Sequence, residues 1–285
     1  MSASQAESRG FESRCPLQNF FIMPGFYIII EENPNPASLN MAMDEALFNY
    51  VQKKKGDSVL RFYRWEKPTL SIGYHQKVKE VANLEYLDKM GIELVRRITG
   101  GKAVLHDHEI TYSFSSSNPL LIENKGVLES FFMIASALIE GLKILGISAY
   151  LSSRKYETLY KSNLPCFSYP TGNEIVVNGR KLVGSAQKRT KDALLQHGSI
   201  PISMDIEKLA MATFSSIENL DGNIITLKEL IEETDFYKIA LSLKEGFSRY
   251  FNCNFEPFDL NEIQENVERI RMQKYSNPSW NFENK

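Results

Sequence analysis

The densest concentration of reactive and ligand-binding residue types is Arg96-Arg97-Ile98-Thr99-Gly100-Gly101-Lys102-Ala103-Val104-Leu105-His106-Asp107. Two adjacent glycines let a backbone approach a ligand closely and turn its N–H groups toward an anion or a carbonyl. Arg97 adds positive charge beside them. The spacing fits neither a phosphate-binding P-loop nor a dinucleotide-binding fingerprint, so a plain hairpin with a Gly-Gly turn stands as the alternative. His106 and His108 are two apart and would share one face of a strand, with Asp107 and Glu109 on the other. Two histidines without a third ligand at a recognisable spacing argue for hydrogen-bonded pocket residues and against a metal site.

The cysteines are Cys15, Cys166 and Cys253, too few and too scattered for a disulfide framework and without a C-x-x-C pair. Cys166 sits in the loop Asn163-Leu164-Pro165-Cys166-Phe167 and is the best nucleophile candidate. A loop thiol near cations ionises more easily, and the thiolate is the species that forms thioesters. A small buried cysteine without chemistry is the alternative. Lys181 follows a turn in Gly179-Arg180-Lys181, where a solvated strand lysine is the plainer reading. Gly184-Ser185-Ala186-Gln187 and Gln196-His197-Gly198-Ser199 are small-residue strand segments that leave room for a slender ligand or, equally, make a tight sheet corner.

These residues need a scaffold, and its elements are readable. Leu39, Ala42, Met43, Ala46, Leu47, Tyr50 and Val51 fall at helical spacing, which predicts an amphipathic helix with Ser38 as its N-cap. Leu128 to Leu145 repeats the pattern and ends at Gly146, a left-handed C-terminal position. Between the two helices, Leu60 to Trp65, Thr69 to Gly73, Glu93 to Ile98, Lys102 to Leu105 and Ile110 to Phe114 read as strands of a mixed sheet. Asn178-Gly179 between apolar runs predicts a two-residue hairpin. A further strand pair is expected through Ser185 to Lys188 and Leu194 to Ile202. Leu227 to Thr234 and Phe236 to Phe251 read as helical, followed by a polar tail with Pro278 and Trp280.

The chain has 285 residues, 43% of them hydrophobic and 24% charged, which is ordinary globular composition and excludes bulk disorder. Lys and Arg number 33 against 35 Asp and Glu, a net charge of −2, so no bulk charge argues for nucleic acid or an anionic membrane. The apolar stretch Phe20 to Ile30 is interrupted by Pro24-Gly25 and falls short of the roughly 20 residues that cross a bilayer. Residues 1–23 are expected to be a flexible tail without function, residues 24–255 an α+β catalytic domain, and residues 256–285 a C-terminal helical segment and tail. A cytoplasmic location is expected from the cysteine usage and the lack of a secretory signal.

Taken together, the segments resemble the family of lipoate-protein ligases and octanoyltransferases, whose catalytic domain is related to biotin protein ligase and class II aminoacyl-tRNA synthetases. The resemblance runs from about Pro36 to Thr234. It is carried by Asn40 to Glu45, by Arg64-Trp65 through Pro68 to Gly73-Tyr74-His75-Gln76, by Arg96 through His106, and by Gly179-Arg180-Lys181-Leu182-Val183-Gly184-Ser185-Ala186-Gln187. What it implies is a large mixed β-sheet backed by helices, with a narrow tunnel for a medium-chain acyl group.

Within that family, three features resemble the LipM-type octanoyltransferases rather than the ATP-dependent ligases. Cys166-Phe167 stands where those enzymes place a nucleophile, and His106 through Ser113, with Gln187 after Gly-Ser-Ala, looks like the transferase version of its strands. The chain also stops before the accessory domain that single-chain ligases carry after the catalytic one. The resemblance implies transfer of octanoyl from acyl carrier protein to a lipoyl-domain lysine, as in glycine cleavage H protein or a 2-oxoacid dehydrogenase E2. No resident cofactor is implied, because the donor carries its own phosphopantetheine. Cys166 and Lys181 would be catalytic. Arg97, Gly100, Gly101, His106, Gly184, Ser185, Ala186, His197 and Gly198 would bind substrate. From charge alone, Arg96, Lys188, Arg189 and Lys191 form a candidate patch for steering an acidic carrier protein, with Lys188 to Lys191 equally readable as a solvated turn. An ATP-dependent lipoate ligase and an amidotransferase acting between lipoyl-domain proteins are the alternatives.

Overall fold

A computed structural model describes residues 25–152 and 174–283. In chain order its first half comprises β1 (Phe26–Ile30), α1 (Ala37–Lys53), β2 (Ser58–Tyr63), β3 (Thr69–Ile72), α2 (Val78–Val81), α3 (Leu84–Met90), β4 (Glu93–Arg96), β5 (Val104–His106), β6 (Glu109–Ser116), α4 (Pro119–Ile122) and α5 (Val127–Ile144). The second half comprises β7 (Tyr150–Leu151), β8 (Ile175–Val177), β9 (Arg180–Arg189), β10 (Leu194–Pro201), α6 (Ile206–Ala212), α7 (Phe236–Phe251), β11 (Glu256–Pro257), α8 (Gln264–Ile270) and α9 (Pro278–Phe282).

Eight strands form one mixed sheet in the order β11-β1-β2-β6-β10-β9-β8-β7, and β4-β3-β5 form a second, three-stranded sheet. The expected α+β architecture of a mixed sheet backed by helices is therefore what the chain adopts. Alternation along the central strands sends side chains to two different cores. Leu60, Phe62, Ile110, Tyr112 and Phe114 pack with α5 and α7, whereas Val59 and Tyr63 pack with α1 and α8. A third core joins the small sheet to α2, α3 and α6. With both faces covered, β2, β6 and β10 are buried along their whole length, so any charged residue on them must find its partners inside the protein.

Several expected elements shift in detail. The N-cap of α1 is Pro36, and no side chain caps it; Ser38 lies within the first turn and its hydroxyl accepts from Arg271 Nε at 3.3 Å. Leu128, counted on the core face of α5, is exposed. Gly146 does take positive φ at 79° after that helix. The Asn178-Gly179 turn forms with φ of 51° and 77°, as a hairpin of this type requires. The segment Ser185 to Lys188 is not a separate strand but the continuation of the ten-residue β9. Of Leu227 to Thr234 only Leu227–Glu229 is helical, as one 3₁₀ turn closed by Glu229 on the Thr226 N–H at 2.9 Å.

The polar C-terminal segment is not a loose tail. Arg96 Nη1 donates to the carbonyls of Gly73, Tyr74 and Gln76 at 3.2, 2.9 and 2.7 Å. The rest of its guanidinium reaches the carbonyls of Trp280 at 3.2 Å and Glu283 at 2.8 Å. Trp280 returns its indole N–H to the Arg96 carbonyl at 2.8 Å. One buried cation thus ties α9 to the loop that follows β3.

The helices α5 and α7 meet backbone to backbone at Gly141 and Gly246. A Cβ on Gly246 would stand 2.1 Å from Gly141 N and 2.6 Å from the Ala137 carbonyl oxygen. Backbone atoms inside two packed helices have no cheap way to give. Gly246→Ala is therefore expected to destabilise the protein by about 1–3 kcal/mol, read as a lower urea midpoint followed by circular dichroism.

Candidate active site

A narrow cavity opens where the small sheet meets β6, β9 and β10. Met41, Tyr63 and Trp65 line it from one side, Ser71, Arg97, Gly101, Val104 and His106 from the small sheet, and Gly184, Ser185, Ala186, His197, Gly198 and Ser199 from β9 and β10. The Gly-Gly loop is held against the end of β3, where a Cβ on Gly73 would stand 2.1 Å from the Gly101 carbonyl oxygen. Glycine at 73 is thus what allows the loop to close over the cavity.

Behind this wall lies a continuous buried polar network. Asp44 on α1 accepts from Arg61 Nη1 at 2.9 Å through one oxygen, and from the Tyr63 hydroxyl at 3.0 Å and His197 Nδ1 at 2.9 Å through the other. Arg61, wholly buried on β2, also donates to Glu31 at 2.6 Å and to the Asn40 side chain at 2.8 Å. Glu109 at the start of β6 accepts from His106 Nδ1 at 2.7 Å, from Ser199 Oγ at 2.5 Å and from the Thr111 hydroxyl. Trp65 stacks on His106 with ring centroids 4.1 Å apart and donates its indole N–H to Thr111 Oγ1 at 2.8 Å.

The electrostatics follow from these contacts. Burial works against the charged form of Asp44, but the hydrogen bond from His197 and the charge of Arg61 outweigh it and hold the carboxyl below its ordinary range. Burial opposes ionisation of Glu109 too, and His106, Ser199 and Thr111 overcome it in the same sense. Burial lowers the basicity of His197 by more than the Asp44 carboxylate restores, with Arg97 and His106 adding to the lowering. On the far side of β6, burial pushes the Tyr112 hydroxyl up to about 12 against the opposing bonds of Ser185 and Gln196.

Eight of the residues expected to form the site line this one cavity: Arg97, Gly101, His106, Gly184, Ser185, Ala186, His197 and Gly198. Gly100 does not, and its carbonyl accepts from Arg97 Nη2 at 2.9 Å. Lys181 is fully buried and paired with Glu174 rather than solvated, and it is not among the cavity residues. Cys166 lies outside the described residues, as do Cys15 and residues 1–23.

The histidine pair does not share a strand face. The chain turns at Asp107-His108, His108 is exposed, and Glu109 returns to bond His106. No cluster of three or more His, Cys, Asp or Glu residues suited to a metal occurs among the described residues. The expected steering patch loses Arg96, which is buried against carbonyls, and Arg189 spends its guanidinium on the carbonyls of Leu121, Ile122 and Lys125 at 2.7 to 2.9 Å. Lys191 stays exposed, and Lys188 lies 5.7 Å from the Tyr74 ring centre.

Asp44, Arg61, Ser71, Thr99, Glu109 and Ser199 were assigned no role from sequence. Two patterns point to two of them, Asp44 and Arg61. Asn40 and Asp44 stand four apart beside the apolar stripe of α1, and Arg61 interrupts a strand between Val59 and Tyr63. Polar groups at buried positions imply partners.

The chain belongs to the lipoyl protein ligase A/B catalytic domain family, which it matches over residues 36–248. Among curated relatives it is 40% identical over 255 residues to octanoyltransferase LipM of Carboxydothermus hydrogenoformans, covering 85% of this chain and 93% of that protein. It is 38% identical over 275 residues to LipM of Geobacillus kaustophilus, covering 87% and 94%. The LipM-type membership implied by the resemblance is therefore borne out. Among solved structures, lipoate-protein ligase A bound with ATP superposes with a TM-score of 0.77 at 24% identity, covering 90% of this chain and 98% of that one. Protein Ta0514 of T. acidophilum with bound lipoic acid gives 0.76 at 23% identity, covering 90% and 99%. These two show that the fold is shared. No helix among the described residues is long and apolar enough to cross a membrane.

The buried acids and His197 act on stability with one sign. Each carboxylate has a folded value below its ordinary 3.8 or 4.5, so its contribution is present above that range and is lost as pH falls through the folded value. His197 has a folded value below 6.5, so the unfolded chain takes up its proton first and stability already declines below that pH. Urea unfolding across this range is expected to show a loss of stability beginning below 6.5, and a later onset in His197→Gln.

Proposed function

We propose that the protein is an acyltransferase of protein lipoylation, moving octanoyl from acyl carrier protein to the ε-amine of a lipoyl-domain lysine through a thioester on Cys166. The observation that carries this reading is the narrow cavity between the Gly100-Gly101 loop and the small residues of β9 and β10, in a chain that resembles the octanoyltransferases LipM along most of its length. A slender, closely walled cavity suits a flexible hydrocarbon chain, whose burial contributes about 0.8 kcal/mol per CH₂.

In the first step the Cys166 thiolate attacks the donor's thioester carbonyl. The tetrahedral oxyanion collapses, the bond to the phosphopantetheine sulfur breaks, and that thiolate takes up a proton as it leaves. In the second step the acceptor's unprotonated amine attacks the acyl-enzyme, an amide forms, the Cys166 sulfur departs and the amine loses its proton. Dividing the transfer in two replaces one difficult displacement with two easier ones. The donor thioester is already activated, so neither ATP nor a metal enters the proposed chemistry.

Two features support the roles of other residues. β8 pairs with β9 only as far as Val183, so from Gly184 onward one edge of β9 has no strand partner among the described residues. Backbone N–H groups at Gly184 to Ala186 are accordingly the proposed oxyanion donors, each worth about 2.7–4 kcal/mol in comparable sites. Lys181 Nζ is paired with the Glu174 carboxylate. The role proposed for Lys181 beside the Cys166 sulfur is either to take its proton or, as a cation held by Glu174, to stabilise the thiolate. The acceptor proteins named for the family and a cytoplasmic setting belong to the same proposal.

Incubation with octanoyl-acyl carrier protein is expected to add one octanoyl group to the intact protein, read by mass spectrometry, and none to Cys166→Ala. The same gain in the variant would remove Cys166 as nucleophile. Dependence of transfer on ATP, with pyrophosphate exchange driven by free octanoate or lipoate, would instead mark a ligase.

A further inference from the structure

Arg97 stands at the junction of two parallel chains of hydrogen bonds. Its Nε donates to Thr99 Oγ1 at 3.1 Å, its Nη1 to the Ser71 carbonyl and hydroxyl at 3.0 and 3.2 Å, and its Nη2 to the carbonyls of Gly100 and Lys102 at 2.9 and 2.7 Å. All five guanidinium N–H groups have an acceptor. Each hydroxyl then passes the chain to an imidazole, Ser71 to His106 Nε2 and Thr99 to His197 Nε2, both at 2.7 Å. The opposite ring nitrogens face Glu109 and Asp44 at 2.7 and 2.9 Å.

The ends of these chains set their direction. A guanidinium cannot accept and an ionised carboxylate cannot donate. In the chain through His197, whose basicity burial lowers, Thr99 accepts from Arg97 and gives its proton to Nε2 while Nδ1 donates to Asp44; the same bonds link Arg97 through Ser71 and His106 to Glu109 when that ring carries its proton on Nδ1. Of the other hydroxyls of the wall, Tyr63 donates to Asp44, Thr111 and Ser199 donate to Glu109, and Ser185 pairs with the Tyr112 hydroxyl at 2.8 Å. A cavity lined by two histidines, an arginine and several hydroxyls thus turns its hydrogen bonds away from its contents.

We propose that Asp44 and Glu109 are positioning residues which, through His197 with Thr99 and His106 with Ser71, lock Arg97 and close the polar wall on itself, so that the cavity admits saturated acyl chains and rejects those bearing a hydroxyl. This rests on the acyl-transfer reading and narrows its substrate class. A chain hydroxyl entering the cavity beyond the Gly184 to Ala186 backbone would lose water and find the wall's side-chain donors already committed. Arg97 is on this account a structural hub of the wall rather than a receptor for a ligand anion.

The test compares octanoyl-pantetheine with 8-hydroxyoctanoyl-pantetheine by titration calorimetry on Cys166→Ala, which keeps the donor intact during binding. Octanoyl is expected to bind ~10²-fold more tightly, the scale on which an apolar pocket discriminates against an added hydroxyl. Adding Ser71→Ala uncovers His106 Nε2 and one N–H of Arg97, and the ratio is expected to fall below about tenfold. Glu109→Gln and Asp44→Asn are expected to lower it in the same direction, with Glu109→Asp restoring part of the preference. Equal affinities in the parent protein, or a ratio that Ser71→Ala leaves unchanged, would overturn the proposal. Loss of affinity for both ligands alike would reduce the two carboxylates to structural roles. Failure of the acyl-transfer reading shows separately, as absence of an octanoylated species in the unsubstituted protein.

Discussion

The structure around the cavity is organised by the need to bury charge without leaving any of it alone. Arg61 and Glu109 lie in a sheet covered on both faces and Asp44 on the helix α1 packed against it, where an unpaired ion costs several kcal/mol. The solution is mutual. Arg61 is divided between Glu31 and Asp44, Asp44 is shared with Tyr63 and His197, and Glu109 collects His106, Thr111 and Ser199. Arg97 then takes five acceptors from the small sheet and the Gly-Gly loop. Removing any member leaves another buried group unpaired, so α1, both sheets and the loop are fixed relative to one another by the same bonds.

That constraint explains how a cavity with polar residues can hold a hydrocarbon chain. A wall whose side-chain donors are bonded to one another offers a hydrocarbon chain a surface of defined shape, with the backbone of Gly184 to Ala186 kept for the reacting carbonyl. The proposed chemistry belongs along Gly184 to Ala186, where one edge of β9 has no strand partner among the described residues. Arg96 makes a comparable contribution outside the cavity, holding the loop Gly73 to Gln76 on one side and the C-terminal helix on the other. Two consecutive arginines thus hold two different loops, Arg97 the Gly-Gly loop at the cavity and Arg96 the loop after β3 against the C-terminus.

Much of this was legible in advance. Periodicity located α1 and α5, the Asn178-Gly179 pair located the hairpin, and the motif order identified the family. Eight cavity residues also belonged to the motifs singled out for substrate. The misses share a cause. Ser38 as a cap and Leu128 as core are local inferences that tertiary contacts overrode. The tail containing Trp280 carries no periodic apolar signal because it is held by hydrogen bonds to Arg96. Arg96 itself looked like a surface cation because nothing in a linear string shows which carbonyls will surround it.

The sequence by itself determined the class of fold, the small residues at the cavity and the family, since propensity, turn chemistry and motif order act over short stretches of chain. Only the tertiary structure decided which polar residues face one another. Asp44 and His197 are far apart in sequence yet 2.9 Å apart in space. His106 meets Glu109 only because the chain reverses at Asp107-His108. Pairings of that kind depend on how sheets and helices pack, and the demand that every buried charge be matched is satisfied only once the whole fold is in place.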